Sequence, residues 1–357
     1  MLSSARVNVI RGSGRLSGTR RLAVNDPVAD TVTHVEFGQL VLATGSRARS
    51  LPQVPFDAHR VLDAGRLLRL ERLPERLVVI GGGYIGVELG TAMAKLGVAV
   101  TIVELATRLL AEFPPALTRP IEARLTELGV AVRCGAAVVG DDGTAVLLGD
   151  GTSIECDTVL VSIGRVPNTD ALGLDLLGIR TDQRGLLDVG PDRKVRGAAH
   201  VWAIGDVTPG PALAHKASAE AEICAQTVLG QRAAFDPACI PMVVYSDPEL
   251  VSVGAVARDG DWVRTLPLSS SGRAVTLGQA VGRIELVTSG ADGPIIGAHA
   301  VGPSMAELTG EMALAVEMGA TAADLALTVH AHPTMSESLQ DVARLPPRQT
   351  RSRFAEL

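Results

Sequence analysis

The stretch RLVVIGGGYIG, residues 76–86, decides the fold prediction. Its apolar first half predicts a buried strand, and the residues that follow predict a helix that continues to about Lys95. Between them, Gly81, Gly83 and Gly86 form G-x-G-x-x-G. The first glycine allows a tight turn, the second lets the backbone approach a pyrophosphate, and the third lets the helix pack on the strand. The amino end of that helix is suited to phosphate, so the stretch predicts dinucleotide binding.

The next predicted strand supplies an acidic residue where such a site needs one. The sequence VTIVE ends at Glu104, whose carboxylate accepts from the hydroxyl groups of a ribose and repels a 2′-phosphate. The spacing therefore favours NAD over NADP. The nearby Arg108 leaves NADP open as an alternative. The other interpretation of the pattern is a glycine-rich packing turn followed by a surface glutamate.

The order of predicted elements indicates the organisation of the chain. Strands and helices alternate through the middle of the sequence, which is typical of a parallel sheet with helical crossovers. The first fifty residues predict three short strands at Arg6–Arg11, Arg20–Val24 and Thr31–Phe37. After about Gln231, short strands and amphipathic helices predict an α+β domain instead. A domain boundary near residue 235 follows.

Composition excludes several classes of protein. The 357 residues suffice for two or three domains, and the net charge of −6 argues against nucleic acid as a partner. The sequence has no block of Lys and Arg that would predict binding to a membrane surface, and no apolar run is long enough to span a bilayer. We therefore expect a cytoplasmic protein. The four cysteines lie far apart in sequence, which predicts no metal site and reduced thiols.

Three other short segments carry residues that suit chemistry. Thr44-Gly45 and Gly205-Asp206 each end an apolar run, and a carboxylate such as Asp206 at the carboxyl end of a strand can accept from a sugar-alcohol hydroxyl. HAHPTMSES places His332 five residues before Glu337, an arrangement that suits a general base and its orienting carboxylate. The alternative is a histidine before a helix whose first turn contains Glu337.

Six motifs occur in an order that indicates a protein family. They are LVLATGSRARSLP, LVVIGGGYIGVELGTAMAKLG, TVLVSIGRVPNTD, VWAIGDVTPGPALAHKASAEAE, VVYSDPELVSVG and HAHPTMSES. Over essentially its whole length the chain resembles the pyridine nucleotide–disulfide oxidoreductases, and it looks most like the dihydrolipoamide dehydrogenase type. The resemblance implies an α/β fold with doubly wound nucleotide-binding domains, of which the FAD domain is incomplete and the NAD domain complete, plus a C-terminal α+β dimerisation domain. The implied segments are 1–51 with 168–235 for FAD, 52–167 for NAD and 236–357 for dimerisation.

The resemblance also implies roles for individual residues. Those along FAD are Thr44, Gly45, Asp206, Ala214 and His215. Those that bind NAD are Gly81, Gly83, Gly86 and Glu104, with Glu88 near the contact of flavin and nicotinamide and Gly164 a further cofactor-binding position. His332 and Glu337 are implied to be the base and its orienting carboxylate, and to reach into the site of the partner subunit of a homodimer. His330 is expected to be a packing or supporting residue.

Two features of the family are missing from the sequence. No G-x-G-x-x-G precedes residue 81, and no cysteine precedes Cys134, so the CxxxxC pair of the family is not found. We therefore expect that the chain begins inside the flavin domain, that it binds FAD weakly or not at all, and that it is inactive by itself.

The expected function is electron transfer between NAD(H) and a dithiol such as a lipoyl group, through FAD. Mercuric reductase is disfavoured because the chain ends without a cysteine pair, and glutathione-type reductases are disfavoured by Glu104. A soluble transhydrogenase stays open. The alternative from a different class is a non-catalytic, NAD-binding protein that forms dimers.

Overall fold

A computed structural model describes residues 5–57 and 59–350. The chain divides into two compact units, each built from two separate segments. Unit 1 comprises residues 1–47 and 165–236, and unit 2 comprises residues 48–164 and 237–357. The structure thus groups the predicted NAD and dimerisation segments into one unit, while the three-domain division stays a prediction. Within the described ranges, no helix is long and apolar enough to cross a membrane.

The strands are numbered in chain order. They are β1 (Ser13–Gly18), β2 (Arg21–Asp26), β3 (Thr31–Glu36), β4 (Leu40–Leu42), β5 (Ser46–Ala48), β6 (Val61–Leu62), β7 (Arg76–Ile80), β8 (Ala99–Glu104), β9 (Ala131–Cys134), β10 (Val138–Asp141), β11 (Ala145–Leu148), β12 (Ser153–Glu155), β13 (Thr158–Val161), β14 (Arg165–Pro167), β15 (Val201–Ala203), β16 (Met242–Val244), β17 (Glu249–Gly254), β18 (Trp262–Pro267), β19 (Arg283–Thr288), β20 (Ile295–Gly302) and β21 (Arg348–Gln349).

The helices are numbered in the same way. They are α1 (Ala64–Leu67), α2 (Tyr84–Lys95), α3 (Pro115–Glu127), α4 (Ala214–Val228), α5 (Gly272–Thr276), α6 (Thr309–Glu317), α7 (Ala322–Leu327) and α8 (Glu337–Arg344). Short 3₁₀ turns lie at Leu174–Leu177, Gly205–Val207, Leu268–Ser270 and Met305–Leu308.

The first half of unit 2 is a parallel sheet with the strand order β6-β13-β7-β8-β9. Strands β7 and β13 lie inside this sheet, and their sequences LVVI and TVLV are buried on both faces. A continuous apolar run of this kind is what a covered parallel strand requires. Helices α2 and α3 follow β7 and β8, and a three-stranded antiparallel sheet of β10, β11 and β12 precedes β13. The doubly wound NAD-type architecture is confirmed.

The second half of unit 2 is a six-stranded antiparallel sheet with the order β16-β17-β20-β19-β18-β21. Helices α6, α7 and α8 come from the same segment and contribute to its core. Val244, Leu250 and Val301 of this sheet belong instead to a second core, together with Leu117 and Ile121 of α3. This shared apolar core explains why the two segments form a single compact unit.

Unit 1 contains the antiparallel sheet β1-β2-β3 and the parallel pair β4-β15. Its core is aliphatic and includes Leu16, Leu42, Leu187, Val201 and Val207. Strand β15 leads directly into the 3₁₀ turn Gly205–Val207, and α4 follows.

Two strand predictions differ from the structure. Residues 6–11 form no strand, and the first strand is β1 instead; Val7, Val9 and Ile10 are exposed, so a strand at that place has no core to cover. Strand β18 was not predicted. It places Arg264 at an inward position, 5% exposed, where the side chain donates to the carbonyls of Leu345 and Ala291. An inward arginine hides the alternation that marks a strand.

Candidate functional site

The glycine-rich turn has the geometry that its sequence predicts. Gly81 has a φ of +108°, and a Cβ there would lie 2.6 Å from the carbonyl oxygen of Ser162. A Cβ on Gly86 would lie 1.9 Å from the carbonyl oxygen of Gly81, so only glycine lets α2 approach β7 this closely. Gly83 is the N-cap of α2, and a Cβ there would meet nothing within 4 Å. Open space at an uncapped helix start is what an anionic pyrophosphate requires.

Gly82, which sequence reasoning did not single out, is held on both sides. Its N–H donates to Glu104 Oε2 at 2.5 Å, and its carbonyl oxygen accepts from the N–H of Leu110 at 2.9 Å. The other oxygen of Glu104 accepts from the N–H of Ala106 at 2.6 Å. The carboxylate of Glu104 is therefore fixed at the carboxyl end of β8, and its remaining lone pairs suit a ribose diol.

Arg108 is engaged elsewhere. Its guanidinium donates to the carbonyl oxygens of Leu110 (3.2 Å) and Ala111 (2.5 Å). The loop after β8 also carries Glu112, whose pKa is raised mainly by burial and further by the charge of Glu104. Arg108, the residue that left NADP open as an alternative, is thus hydrogen-bonded to its own loop. Two acidic residues, Glu104 and Glu112, lie near it. The arrangement suits an unphosphorylated ribose.

Glu88 lies on α2 and is half-buried. Burial raises the pKa of its carboxyl group, while the bond from the N–H of Tyr245, 2.8 Å from Oε1, acts in the opposite direction. Gly164 is the last residue of the first segment of unit 2, with a φ of +107° and a carbonyl oxygen that accepts from the N–H of Arg49.

The predicted FAD residues all lie in unit 1. Asp206, in the 3₁₀ turn after β15, accepts from the hydroxyl of Ser46 at 2.5 Å and lies 3.8 Å from the Nε of Arg165. Its side chain is 23% exposed, so one face of the carboxylate can accept from another hydroxyl. Thr44 donates to the carbonyl of Asn168, which in turn donates its amide N–H to the carbonyl of Thr44. Gly45 has a φ of +66° with open space at its Cβ position.

The start of α4 contributes two exposed residues and conceals a charged cluster. Ala214 and His215 form the first turn and are exposed. Behind them, Glu220 is completely buried, with Lys216 Nζ at 3.1 Å and Arg193 Nη1 at 2.8 Å. Glu220 also accepts from the N–H of Gly205 at 2.6 Å. This Lys216–Glu220–Arg193 cluster fixes the turn that presents Asp206, and no local pattern in the sequence indicated it.

His332 and Glu337 are brought together as predicted. The distance from His332 Nδ1 to Glu337 Oε1 is 2.9 Å, and the other oxygen of Glu337 accepts from the N–H of Thr334 at 2.8 Å. These two bonds, that from Thr334 first, lower the pKa of Glu337. The imidazole is 79% exposed, and across residues 5–57 and 59–350 its Nε2 has no partner. Glu337 is also the first residue of α8, so the helix-start interpretation describes the same residue.

His330 is a supporting residue in this geometry. Its Nε2 lies 2.7 Å from Glu311 Oε1 on α6, and its Nδ1 lies 3.0 Å from the carbonyl oxygen of Thr328. The side chain is 5% exposed. It therefore ties the segment that carries His332 to α6.

The cysteines carry free thiols at four separate places. Cys134 is exposed at the end of β9, Cys156 and Cys224 are buried, and Cys239 is half-buried. Burial raises the pKa of each thiol. In the part of the chain that the structure describes, no cluster of three or more His, Cys, Asp or Glu side chains could hold a metal ion.

Comparison with known proteins identifies the family. Residues 2–221 match the family described as pyridine nucleotide-disulphide oxidoreductase, and residues 240–343 match its dimerisation domain. The chain belongs to this family. It is 41% identical over 360 residues to the dihydrolipoyl dehydrogenase of Geobacillus stearothermophilus, an alignment that covers 97% of this chain and 75% of the relative. The dihydrolipoyl dehydrogenase of Halobacterium salinarum is 39% identical, with 94% and 74% covered.

Solved structures agree with this assignment to the pyridine nucleotide–disulphide oxidoreductases. LpdA from Mycobacterium tuberculosis superposes with a TM-score of 0.88 at 29% identity, over 96% of this chain and 78% of that one. RclA from Escherichia coli, an HOCl-induced flavoprotein disulfide reductase, gives 0.86 at 25% identity, with 95% and 79% covered. The α/β fold with a dimerisation domain and the class of NAD-dependent flavoprotein oxidoreductase are thereby confirmed.

The cofactors of this family are NAD and FAD, and the residues present fit both. The open position at Gly83 and the fixed carboxylate of Glu104 suit the pyrophosphate and ribose of NAD. The partly exposed carboxylate of Asp206 and the open backbone at Gly45 suit the polyhydroxyl chain of FAD. Individual residue roles remain predictions.

Proposed function

We propose that this chain carries the nucleotide site and the acid–base centre of an oxidoreductase that transfers electrons between a dithiol and NAD. The observation that carries the proposal is the pair His332–Glu337, at 2.9 Å, in a protein whose relatives are named dihydrolipoyl dehydrogenase. The substrate class inferred from those names is a dihydrolipoyl group. When bound, FAD would supply the passage of electrons between the substrate dithiol and the nicotinamide.

His332 acts as the base in this proposal. The ionised carboxylate of Glu337 accepts from Nδ1–H, which leaves the lone pair of Nε2 directed to solvent. A substrate thiol is a weak nucleophile until it loses its proton. Nε2 takes that proton, and Glu337 stabilises the imidazolium that forms. The bond from Thr334 to the other oxygen of Glu337 keeps the carboxylate oriented during the transfer.

The nucleotide is held by groups of unit 2. The helix start at Gly83 binds the pyrophosphate, and Glu104 binds the ribose. Glu88 lies beside the nicotinamide, where a carboxylate interacts more favourably with the cationic ring of NAD⁺ than with the neutral ring of NADH. Asp206 and the residues around it hold FAD from unit 1.

A homodimer is part of the proposal, and His332 serves the site of the partner subunit. Leu314, Met318, Leu327 and Val329 are apolar residues of the dimerisation segment that are 60% to 92% exposed. Exposed apolar side chains clustered within one segment are typical of a surface that a partner covers. His332, in the same segment, is exposed with its base nitrogen directed outward.

A second candidate is an NAD-binding dimer that does not turn over dithiols with these 357 residues alone. The four free cysteines favour it, because they lie at separate places in the fold and no two form the close pair that a redox disulfide requires. Weak FAD binding by this chain belongs to the same proposal.

Three measurements on the purified chain test these proposals. Light scattering should show a dimer, and NADH fluorescence should show saturable binding that Gly83→Ala weakens. Formation of NADH from dihydrolipoamide and NAD⁺, with FAD added, should be absent. Turnover that His332→Gln abolishes would reject the inactive candidate and support the base. Turnover that survives His332→Gln would instead remove His332 from the mechanism.

A further inference from the structure

The segment Tyr245–Pro248, in VVYSDPEL, enters the site described above only through the N–H of Tyr245. It joins β16 to β17 in the antiparallel sheet of unit 2. Val244, just before the segment, and Leu250, the second residue after it, are both 0% exposed and belong to the apolar core that includes Val87 of α2 and Leu117 of α3. The loop is therefore packed against the nucleotide-binding segment at both of its ends.

The first polar contact of this loop is to Glu88. The N–H of Tyr245 donates to Glu88 Oε1 at 2.8 Å. Glu88 lies on the second turn of α2, five residues after the Gly83 N-cap. Its carboxyl group is half-buried, so a single backbone N–H has a large share in deciding where the carboxylate lies.

The second contact anchors the loop through Asp247. Its Oδ2 accepts from Lys95 Nζ at 3.0 Å and from Arg124 Nε at 3.3 Å. Lys95 is the last residue of α2, and Arg124 lies on the last turn of α3. Burial opposes ionisation of Asp247, but the bonds and charges of the two cations outweigh it and lower its pKa. One ionised carboxylate therefore joins the loop to both helices.

We propose that Asp247 is a positioning residue for Glu88: it fixes the loop on α2 and α3, and the loop's Tyr245 N–H then holds the Glu88 carboxylate beside the nicotinamide. The inference rests on the proposed place of Glu88. It assigns to a loop of the dimerisation segment an indirect role in nucleotide binding, through Glu88. Loss of Asp247 should change the preference between NAD⁺ and NADH, because the carboxylate of Glu88 distinguishes the two rings by charge.

The experiment measures dissociation constants of the 357-residue chain for NADH by fluorescence and for NAD⁺ by displacement of NADH. Asp247→Ala should weaken NAD⁺ by about three- to fivefold and NADH by less than about twofold, the range expected for loss of a partly exposed ion pair. Lys95→Gln, at an exposed position, removes one arm of the anchor and should give a smaller shift in the same direction. Glu127→Gln is the matched control, since it removes a partner of Arg124 without touching the loop.

Glu88→Gln distinguishes a failure of the proposed place of Glu88 from a failure of the role proposed for Asp247. This variant should weaken NAD⁺ by itself, and Asp247→Ala should add nothing to the NAD⁺/NADH ratio in that background. A Glu88→Gln chain with an unchanged ratio would overturn the proposed place of Glu88 and this inference with it. A ratio that responds to Glu88→Gln but not to Asp247→Ala or Lys95→Gln would overturn the inference alone. An effect of Asp247→Ala that persists without the Glu88 carboxylate would do the same.

Discussion

Two turns in this chain each hold a glycine in place, but with different chemistry. Each turn follows a buried parallel strand, β7 or β15. In each turn, both the N–H and the carbonyl oxygen of one glycine are hydrogen-bonded. At Gly82 the N–H is bound by Glu104, and the carbonyl by the N–H of Leu110. At Gly205 the N–H is bound by Glu220, and the carbonyl by Lys216 Nζ at 3.0 Å.

The two turns differ in the groups that surround the hydrogen-bonded glycine. Around Gly82 the space is filled by other glycines and by Leu109, and the one carboxylate, Glu104, is half-exposed. Around Gly205 it is filled by three charged side chains that water hardly reaches. A turn that must offer free N–H groups to an anion is best built from small residues and main chain. A turn that presents a carboxylate, as Gly205-Asp206 does, can be fixed by buried charges behind it.

The largest predicted effect concerns the buried cluster. Glu220→Gln leaves Lys216 and Arg193 buried with one negative charge fewer, so the free energy of unfolding of unit 1 should fall by about 3–5 kcal/mol. The measurement is urea unfolding followed by the fluorescence of Trp202, which lies in unit 1, in a Trp262→Phe background.

The control for this variant lies on the same helix. Glu222 is exposed, and Glu222→Gln should change the unfolding free energy by less than about 0.5 kcal/mol. A cost for Glu220→Gln as small as that of the control would show that the charges do not hold the Gly205 turn. The contrast between the two turns would then fail.

The next effect separates two glycines of the first turn. Gly86→Ala places a Cβ 1.9 Å from the carbonyl oxygen of Gly81, so it should destabilise unit 2 by about 1–3 kcal/mol and lower NADH affinity. Gly83→Ala meets nothing within 4 Å, so its cost in stability should not exceed the roughly 1 kcal/mol of an N-cap change, while NADH affinity should fall. Thermal unfolding and NADH titration of both variants decide the matter. Unchanged NADH binding by Gly83→Ala would place the pyrophosphate elsewhere.

Much of the first turn was predictable from the sequence. The glycine spacing, the apolar strand before it and Glu104 at the end of the next strand are all local or periodic signals, and the structure places each where the pattern predicts. His332 and Glu337 were likewise close enough in sequence for their pairing to be inferred, and they meet at 2.9 Å.

The second turn was not predictable in the same way. Glu220 and Lys216 lie on α4, whereas Arg193 is distant in sequence and has a φ of +64°. Nothing in a local window indicates that these charges are buried together. The contact between Asp247 and the ends of α2 and α3 has the same character. The residues predicted to bind a ligand were indicated by local patterns. The residues that fix their positions depend on contacts that form only in the completed fold.

A smaller effect tests the acidic end of β8. Glu104→Gln removes the negative charge that, in the proposed role, accepts from the ribose and repels a 2′-phosphate, so the preference for NADH over NADPH should fall by about tenfold. It should not reverse, because Arg108 stays bonded to the carbonyls of Leu110 and Ala111. Dissociation constants for both nucleotides, with Glu104→Gln/Arg108→Gln as the comparison, test this. A reversed preference that needs Arg108 would show that its guanidinium leaves the loop for the phosphate.

The last effect contrasts the buried charges of unit 1 with a buried imidazole of unit 2. His299 on β20 is 0% exposed, and its ring nitrogens lie 2.9 Å from Ser252 Oγ and 3.0 Å from the carbonyl oxygen of Ala255. Burial lowers its pKa below the usual value of 6.5. As the pH falls below about 6.5, the imidazole of His299 binds a proton more readily in the unfolded chain than in the folded one. The contribution of neutral, buried His299 to the free energy of unfolding is therefore constant above about pH 6.5 and is lost as the pH falls towards the folded pKa.

The free energy of unfolding of unit 2 should therefore fall on acidification by about 1.4 kcal/mol for each pKa unit by which burial lowers the pKa of His299. Urea unfolding between neutral pH and pH 5, followed by Trp262 fluorescence in a Trp202→Phe background, measures it. His299→Gln should flatten this slope, although it loses stability at neutral pH. His59→Gln, at an exposed position in the same unit, should not. Equal slopes for all three chains would mean that the imidazole is protonated as readily in the fold as outside it.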